Sequence, residues 1–242
     1  MRHYRIAAFA AGVALAAGVT VAIAGTPFGG DDLGTIPSDA PKGPVTKCET
    51  GVAKAAGKLV GAAIKCHTSR ASGKLADDTA EDTCETAALT KFEATKTAGC
   101  AGCTNLSALG TAIVANLDSN NNKVACTATG TPFGGDDTGN IPADAPKGPV
   151  TKCEGLVGKG VSKLVGSIIK CHGSRVAGKL ADDSAENTCE TTAKTKFGTT
   201  KTAGCDACLG SLSALADFVE GQADGALNAI VWCGSPSGAF LN

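Results

Sequence analysis

One feature limits what this chain can fold into more than any other: its cysteines are written twice. Cys48, Cys66, Cys84, Cys100 and Cys103 return as Cys153, Cys171, Cys189, Cys205 and Cys208, each 105 residues later, and Cys126 and Cys233 complete the two sets at an offset of 107. The match is ungapped from Cys48 to Cys103, with KCHTSR (Lys65 to Arg70) against KCHGSR and GKLADD (Gly73 to Asp78) against itself. A period this long lies far outside the range of solenoid repeats. It implies two homologous domains, 48–126 and 153–233, arranged as beads on a string.

The segments before the two domains are also copies. Gly25 to Glu49 and Gly130 to Glu154 share 22 of 25 residues, GTPFGGDDLGTIPSDAPKGPVTKCE against GTPFGGDDTGNIPADAPKGPVTKCE. Their prolines and glycines exclude helix and central strand. The N-terminal segment 25–47 and the linker 127–152 should therefore be extended and semi-rigid. Phe28 and Ile36 would be wasted in solvent, so Thr131 to Ile141 is expected to pack on the end of the first domain. Thr26 to Ile36 has no domain before it. It is expected either to be a leftover of duplication that lies loose or folds onto its own domain, or to dock on the second domain of another molecule, head to tail.

Within each domain the apolar spacing is helical. Cys48, Val52, Ala56, Leu59, Ala63 and Cys66 step by three and four, as do Cys153, Val157, Val161, Leu164, Ile168 and Cys171; both sets mark one helix face. A second helix carries Cys84, Ala88, Phe92 and Thr95, or Cys189, Ala193, Phe197 and Thr200, with Asp77 and Asp78 at its start and Gly99 at its stop. A shorter third helix carries Leu106, Leu109, Ile113 and Leu117, or Leu212, Leu215, Val219 and Ala223. Asp118 to Lys123 is expected as a polar loop, and the stretches before Cys126 and Cys233 as extended tails. The fold class expected is mainly α: two disulfide-stapled helical hairpins, each of two long helices plus a third. The faces are rich in Ala and Gly and bury little area, which makes covalent staples necessary. Opposite residues of an antiparallel hairpin turning near Lys74 place Cys66 against Cys84. They place Cys48 against Cys100 or Cys103, leaving the other of that pair for Cys126.

Met1 to Ala24 has Arg2 and Arg5, an apolar run and an A-x-A end at Ala22 to Ala24, the pattern of a cleaved signal peptide. Twelve cysteines, all beyond it, fit an oxidising compartment. The expected localisation is secreted, cell surface or periplasm, with no membrane segment after cleavage. Residues 234–242 form a C-terminal tail. Loss of the two arginines leaves 20 basic against 23 acidic residues, which gives no basic footprint for nucleic acid.

Chemistry-bearing motifs are few. Cys100-Ala-Gly-Cys103 and Cys205-Asp-Ala-Cys208 lack the βαβ setting of a redox pair and the following histidine of covalent haem. His67 and His172 each follow a helix cysteine. They are candidate ligands for a metal or haem, but no Asp, Glu or second His stands four residues on, so no metal site or cofactor is expected. Asp118-Ser-Asn120-Asn-Asn122 imitates the start of a calcium loop and then fails, with Lys123 where Gly is required and Thr129 where Glu is required. No nucleophile elbow, acid/base pair or phosphate loop is present, so no enzyme is expected.

The pattern KCE…KCH…C…KF…GC-x-x-C…C, preceded by TPFGGDDTG-x-IP, resembles the tandem cysteine-rich helical repeats of exported proteins predicted from environmental bacterial genomes. The resemblance implies an exported, repetitive protein and brings no catalytic residue with it. The sequence favours a non-catalytic structural or interaction module, partnered by itself or by another surface protein. The alternative is a small-ligand, metal or haem carrier using His67 and His172.

Overall fold

The computed structural model describes residues 25–100 and 106–233; the signal segment, Cys103 and the C-terminal tail lie outside them. Each repeat is a disulfide-stapled helical hairpin with a third helix across it. In the first, β1 (Thr26–Gly29) and β2 (Asp32–Ile36) precede α1 (Pro44–Ala71), α2 (Asp78–Glu93) and α3 (Leu106–Asn120). In the second, β3 (Gly130–Gly134) and β4 (Asp137–Pro142) precede α4 (Pro149–Val176), α5 (Asp183–Phe197), α6 (Leu212–Asp224) and a final short helix, α7 (Ala226–Val231).

Local chemistry sets the helix ends. Pro44 and Pro149 open α1 and α4, where a missing N–H costs nothing. The carboxylate of Asp39 accepts from the Val45 and Thr46 amides at 2.8 and 3.1 Å, and Asp144 accepts from Val150 and Thr151 at the same distances. A negative charge thus sits on each positive helix end. Asp77 and Asp182 cap α2 and α5 by accepting from Ala80 and Ala185. Gly73, at φ 67°, makes the turn between α1 and α2. The helix face from Cys48 to Cys66 and its copy from Cys153 to Cys171 are buried at every position named above.

Cys66–Cys84 and Cys171–Cys189 staple the turn ends, and Cys48–Cys100 and Cys153–Cys205 the open ends. Cys126 departs from expectation. It bonds Cys208 of the other repeat, 82 residues away. Index matching along one hairpin cannot find this bridge, because it joins two hairpins.

The repeats do not hang as separate beads. A single core cluster takes Val52, Leu59 and Phe92 from the first and Val157, Leu164 and Phe197 from the second. α1 and α4 run antiparallel and close: a Cβ on Gly158 would meet Thr68 and Ile64 at 3.1 and 3.3 Å, and one on Gly61 would meet Ser162 at 2.8 Å. The glycines that thin each core are what let the two long helices share one.

The Pro/Gly-rich segments are extended, but paired into two-stranded antiparallel hairpins, with Thr26 opposite Ile36 and Thr131 opposite Ile141. The β3–β4 hairpin lies on the end of the first repeat, where Phe133 packs with Ala71 and Ala125. The β1–β2 hairpin lies on the end of the second repeat of the same chain. There the Thr35 amide donates to the Trp232 carbonyl at 2.6 Å, and Asn228 Nδ2 to the Leu33 carbonyl at 2.8 Å. The head-to-tail contact considered from sequence is therefore made within one molecule. Three smaller expectations also change. Asp118 sits in the last turn of α3 rather than opening a loop, and α7 replaces an extended tail. α2 stops at Glu93, six residues before Gly99.

Candidate metal centre

Glu81, Glu85, Ala88 and Phe92 share one face of α2, and all four are buried; Glu186, Glu190, Ala193 and Phe197 do the same on α5. Two carboxylates on an apolar stripe need partners. Their partner is the histidine that follows the turn-end cysteine. In the first repeat His67 Nε2 stands 2.8 Å from Glu85 Oε1, 3.2 Å from Asp118 Oδ1 and 3.1 Å from Asp137 Oδ1, with Glu81 Oε1 at 4.0 Å. In the second, His172 Nε2 stands 2.9 Å from Glu190 Oε1, 3.2 Å from Asp224 Oδ1 and 3.1 Å from Asp32 Oδ1. Glu186 lies beside this group, with Arg175 Nε 3.8 Å from its carboxylate.

Four elements build each cage. The first helix of a repeat brings the histidine, the second two glutamates and the third an aspartate at its C-terminal end. The fifth residue comes from a hairpin outside the repeat: Asp137 of β4 for the first cage, Asp32 of β2 for the second. Glycines at φ 99° and 57° (Gly29 and Gly30) and at 95° and 58° (Gly134 and Gly135) turn each hairpin so that its aspartate points inward. Phe133 and Phe28 wall the imidazoles edge-on at 6.4 and 5.8 Å. His67 and His172 are 5 % and 1 % exposed, and Glu81 and Glu186 are both fully buried.

The cages hold more acceptors than donors. One imidazole N–H cannot serve three or four carboxylate oxygens. Both oxygens of Glu81, Glu186, Asp32 and Asp224 lack a hydrogen-bond partner, and so does His172 Nε2 despite its three near carboxylates. Those contacts are close without lying along an N–H direction. The charge balance is equally lopsided. Burial works to push the imidazoles down, but the carboxylates of Asp118, Asp137 and Glu85 outweigh it and hold His67 up at about 12. Asp224, Asp32 and Glu190 likewise hold His172 at about 11 against burial. Burial raises Glu81 to about 8, with Asp137 adding to it and His67 opposing. Burial and Asp32 raise Glu186 to about 8. Glu85, Asp118 and Asp224 are raised by burial as well. Each cage thus sets a single imidazolium against four carboxyl groups, with Arg175 beside Glu186 in the second.

The spacing is that of a coordination shell. Ligands about 2.1 Å from a common cation stand about 3.0 Å apart when adjacent and about 4.2 Å when opposite. Asp32, His172, Glu190 and Asp224 each offer an atom within 4.8 Å of the others; His67 groups in the same way with Glu85 and Asp118, and with Glu81 and Asp137. One nitrogen among several carboxylate oxygens suits a hard or borderline divalent cation. Soft-metal binding would need thiolate, and the described cysteines are all oxidised.

Of the candidate residues, the structure thus brings His67 and His172 into ligand sets, where the sequence places bare helix histidines. Asp118 joins such a set, but not through a calcium loop: Asn120 Nδ2 donates to the Asn116 carbonyl instead. Cys205 and Cys208 go to different partners, Cys153 and Cys126, so this C-x-x-C is structural. The four glutamates and the hairpin aspartates Asp32 and Asp137 are what the sequence reading misses. Their available signal is a glutamate pair four residues apart on the core face of a helix.

No protein-family model, curated protein or solved structure matches the chain. No helix among the described residues is long and apolar enough to cross a membrane.

Proposed function

We propose that the protein binds two divalent metal ions, one in each repeat, and works as an ion-holding protein in an oxidising compartment. The observation that carries this is the pair of equivalent buried cages, in which one histidine faces four carboxyl groups and buried carboxylate oxygens have no hydrogen-bond partner. Buried carboxylates left in this state cost several kcal/mol each; a dication answers both the charge and the missing contacts. The cage side chains are almost wholly buried, as the ligands of structural and storage sites are. Export through residues 1–24 and the disulfide framework fit such a role, since thiol-free oxygen and imidazole ligands suit an oxidising milieu. The carrier reading thus takes the lead over the purely structural module.

The test is metal analysis of the chelator-stripped protein after reloading with Mn²⁺ or Zn²⁺ and desalting, paired with calorimetric titration. Two equivalents per chain are expected. His67→Ala and His172→Ala should each leave one. A wild-type chain that keeps no ion at micromolar concentration sinks the proposal.

A further inference from the structure

Net charge near zero conceals a segregated surface. α1 carries Lys47, Lys54, Lys58 and Lys65 and α4 carries Lys152, Lys159, Lys163 and Lys170, all exposed. The one acidic residue on each helix, Glu49 or Glu154, is buried. Along two antiparallel 28-residue helices, then, no carboxylate faces water. Between them runs a groove of about 740 Å³ lined by Lys65, Lys74, Lys152, Lys159 and Lys163, with hydroxyls from Thr68, Ser72 and Ser162. A second groove shares Lys159 and Lys163 and adds Lys196 and Lys201, with Thr199 and Thr200. No acidic side chain lines either groove, and neither includes a cage residue.

We propose that this face binds an acidic polysaccharide. Lysines set in a row attract a linear polyanion as point charges and do not demand planar geometry. Hydroxyls between them match sugar hydroxyls. Leu156, 47 % exposed, lines both grooves and offers the apolar contact that a sugar ring's face takes. A nucleic acid would want exposed aromatics or arginines for stacking. Here Phe28, Phe92, Phe133, Phe197 and Trp232 are all buried, and Arg70 and Arg175 bond the Ala76 and Ala181 carbonyls.

The experiment titrates the full chain, metal-loaded and chelator-treated in parallel, with polygalacturonate and with dextran sulfate at 50 and 200 mM NaCl, using neutral dextran and single-stranded DNA of equal charge as comparisons. Binding to one or both acidic polysaccharides is expected, weakening about 10-fold or more with the added salt. Which of the two binds separates carboxylate from sulfate as the charge carrier. Lys159→Glu with Lys163→Glu should lower affinity at least 10-fold while the metal content of the chain stays the same, and Lys91→Glu on α2 should leave affinity unchanged. Absence of binding at 50 mM NaCl, DNA binding as tight as polysaccharide, or full affinity in the double variant would each overturn the proposal. Metal content is measured separately, so failure here leaves the cages untouched.

Discussion

At the scale of single residues, the cages turn on where the fourth carboxylate comes from. Asp32 stands 140 positions before His172 in the chain and 3.1 Å from it in space. Asp32→Asn should therefore weaken the second site by about 100-fold, at the upper end of what even supporting residues of a metal site contribute, and leave the first unchanged; titration of the stripped protein would then resolve two unequal affinities. Little of this was legible in the sequence. The histidines were visible, but each ligand set is spread over three helices and a hairpin, and no local spacing marks it. Asp144 offers a cleaner titration. Burial works to raise its carboxyl, but the Thr151 hydroxyl and the Val150 and Thr151 amides hold it below its ordinary value. A depressed folded pKa adds stability above the unfolded value of about 3.9 and loses it as pH falls through the folded one. Asp144→Ala should cost about 1 kcal/mol at pH 7, the usual worth of an N-terminal cap. The gap to wild type in urea melts should close as the pH falls from about 5 toward 2.

At the scale of elements, the long helices were legible because their apolar steps of three and four run for six consecutive positions in each copy. The bridge Cys66–Cys84 followed from hairpin geometry alone, whereas for Cys48 that geometry left Cys100 and Cys103 open, and the structure takes Cys100. The hairpins in the Pro/Gly-rich segments were not legible. Each ladder is only two strands wide with a register shift beside Phe28 or Phe133, so period-two alternation never becomes established. What fixes these hairpins is docking: Phe28 is 2 % exposed, between His172 and Trp232. The bridge across the repeats is equally tertiary. Non-reducing peptide mapping should recover Cys126 joined to Cys208. Replacing both with serine should cost about 2–4 kcal/mol, as for other long closed loops, read as a lower midpoint in guanidinium.

At the scale of the whole molecule, the chain closes on itself. The β1–β2 hairpin begins the described chain and seals the second repeat, which ends it, while β3–β4 seals the first from the middle. Each repeat therefore needs a hairpin that precedes a different helix set, and neither cage is complete in an isolated 48–126 or 153–233 fragment. Deleting Gly25 to Pro37 removes Asp32 and Phe28 together and should reduce metal content from two ions to one. Trp232 makes the event visible, because it is the single tryptophan of the chain, is 1 % exposed and touches Phe28. Its emission should shift to longer wavelength in the deletion variant, since the indole then meets water. A synthetic Gly25–Pro37 peptide added in trans should return both the blue emission and the second ion, whereas the same peptide with Asp32→Asn should return the emission with far weaker ion binding. Phe28 supplies the apolar contact and Asp32 the ligand, so the two readouts separate packing from coordination. An unshifted emission after deletion would show that Trp232 is shielded without the hairpin, and the chain would then not be closed in the way described.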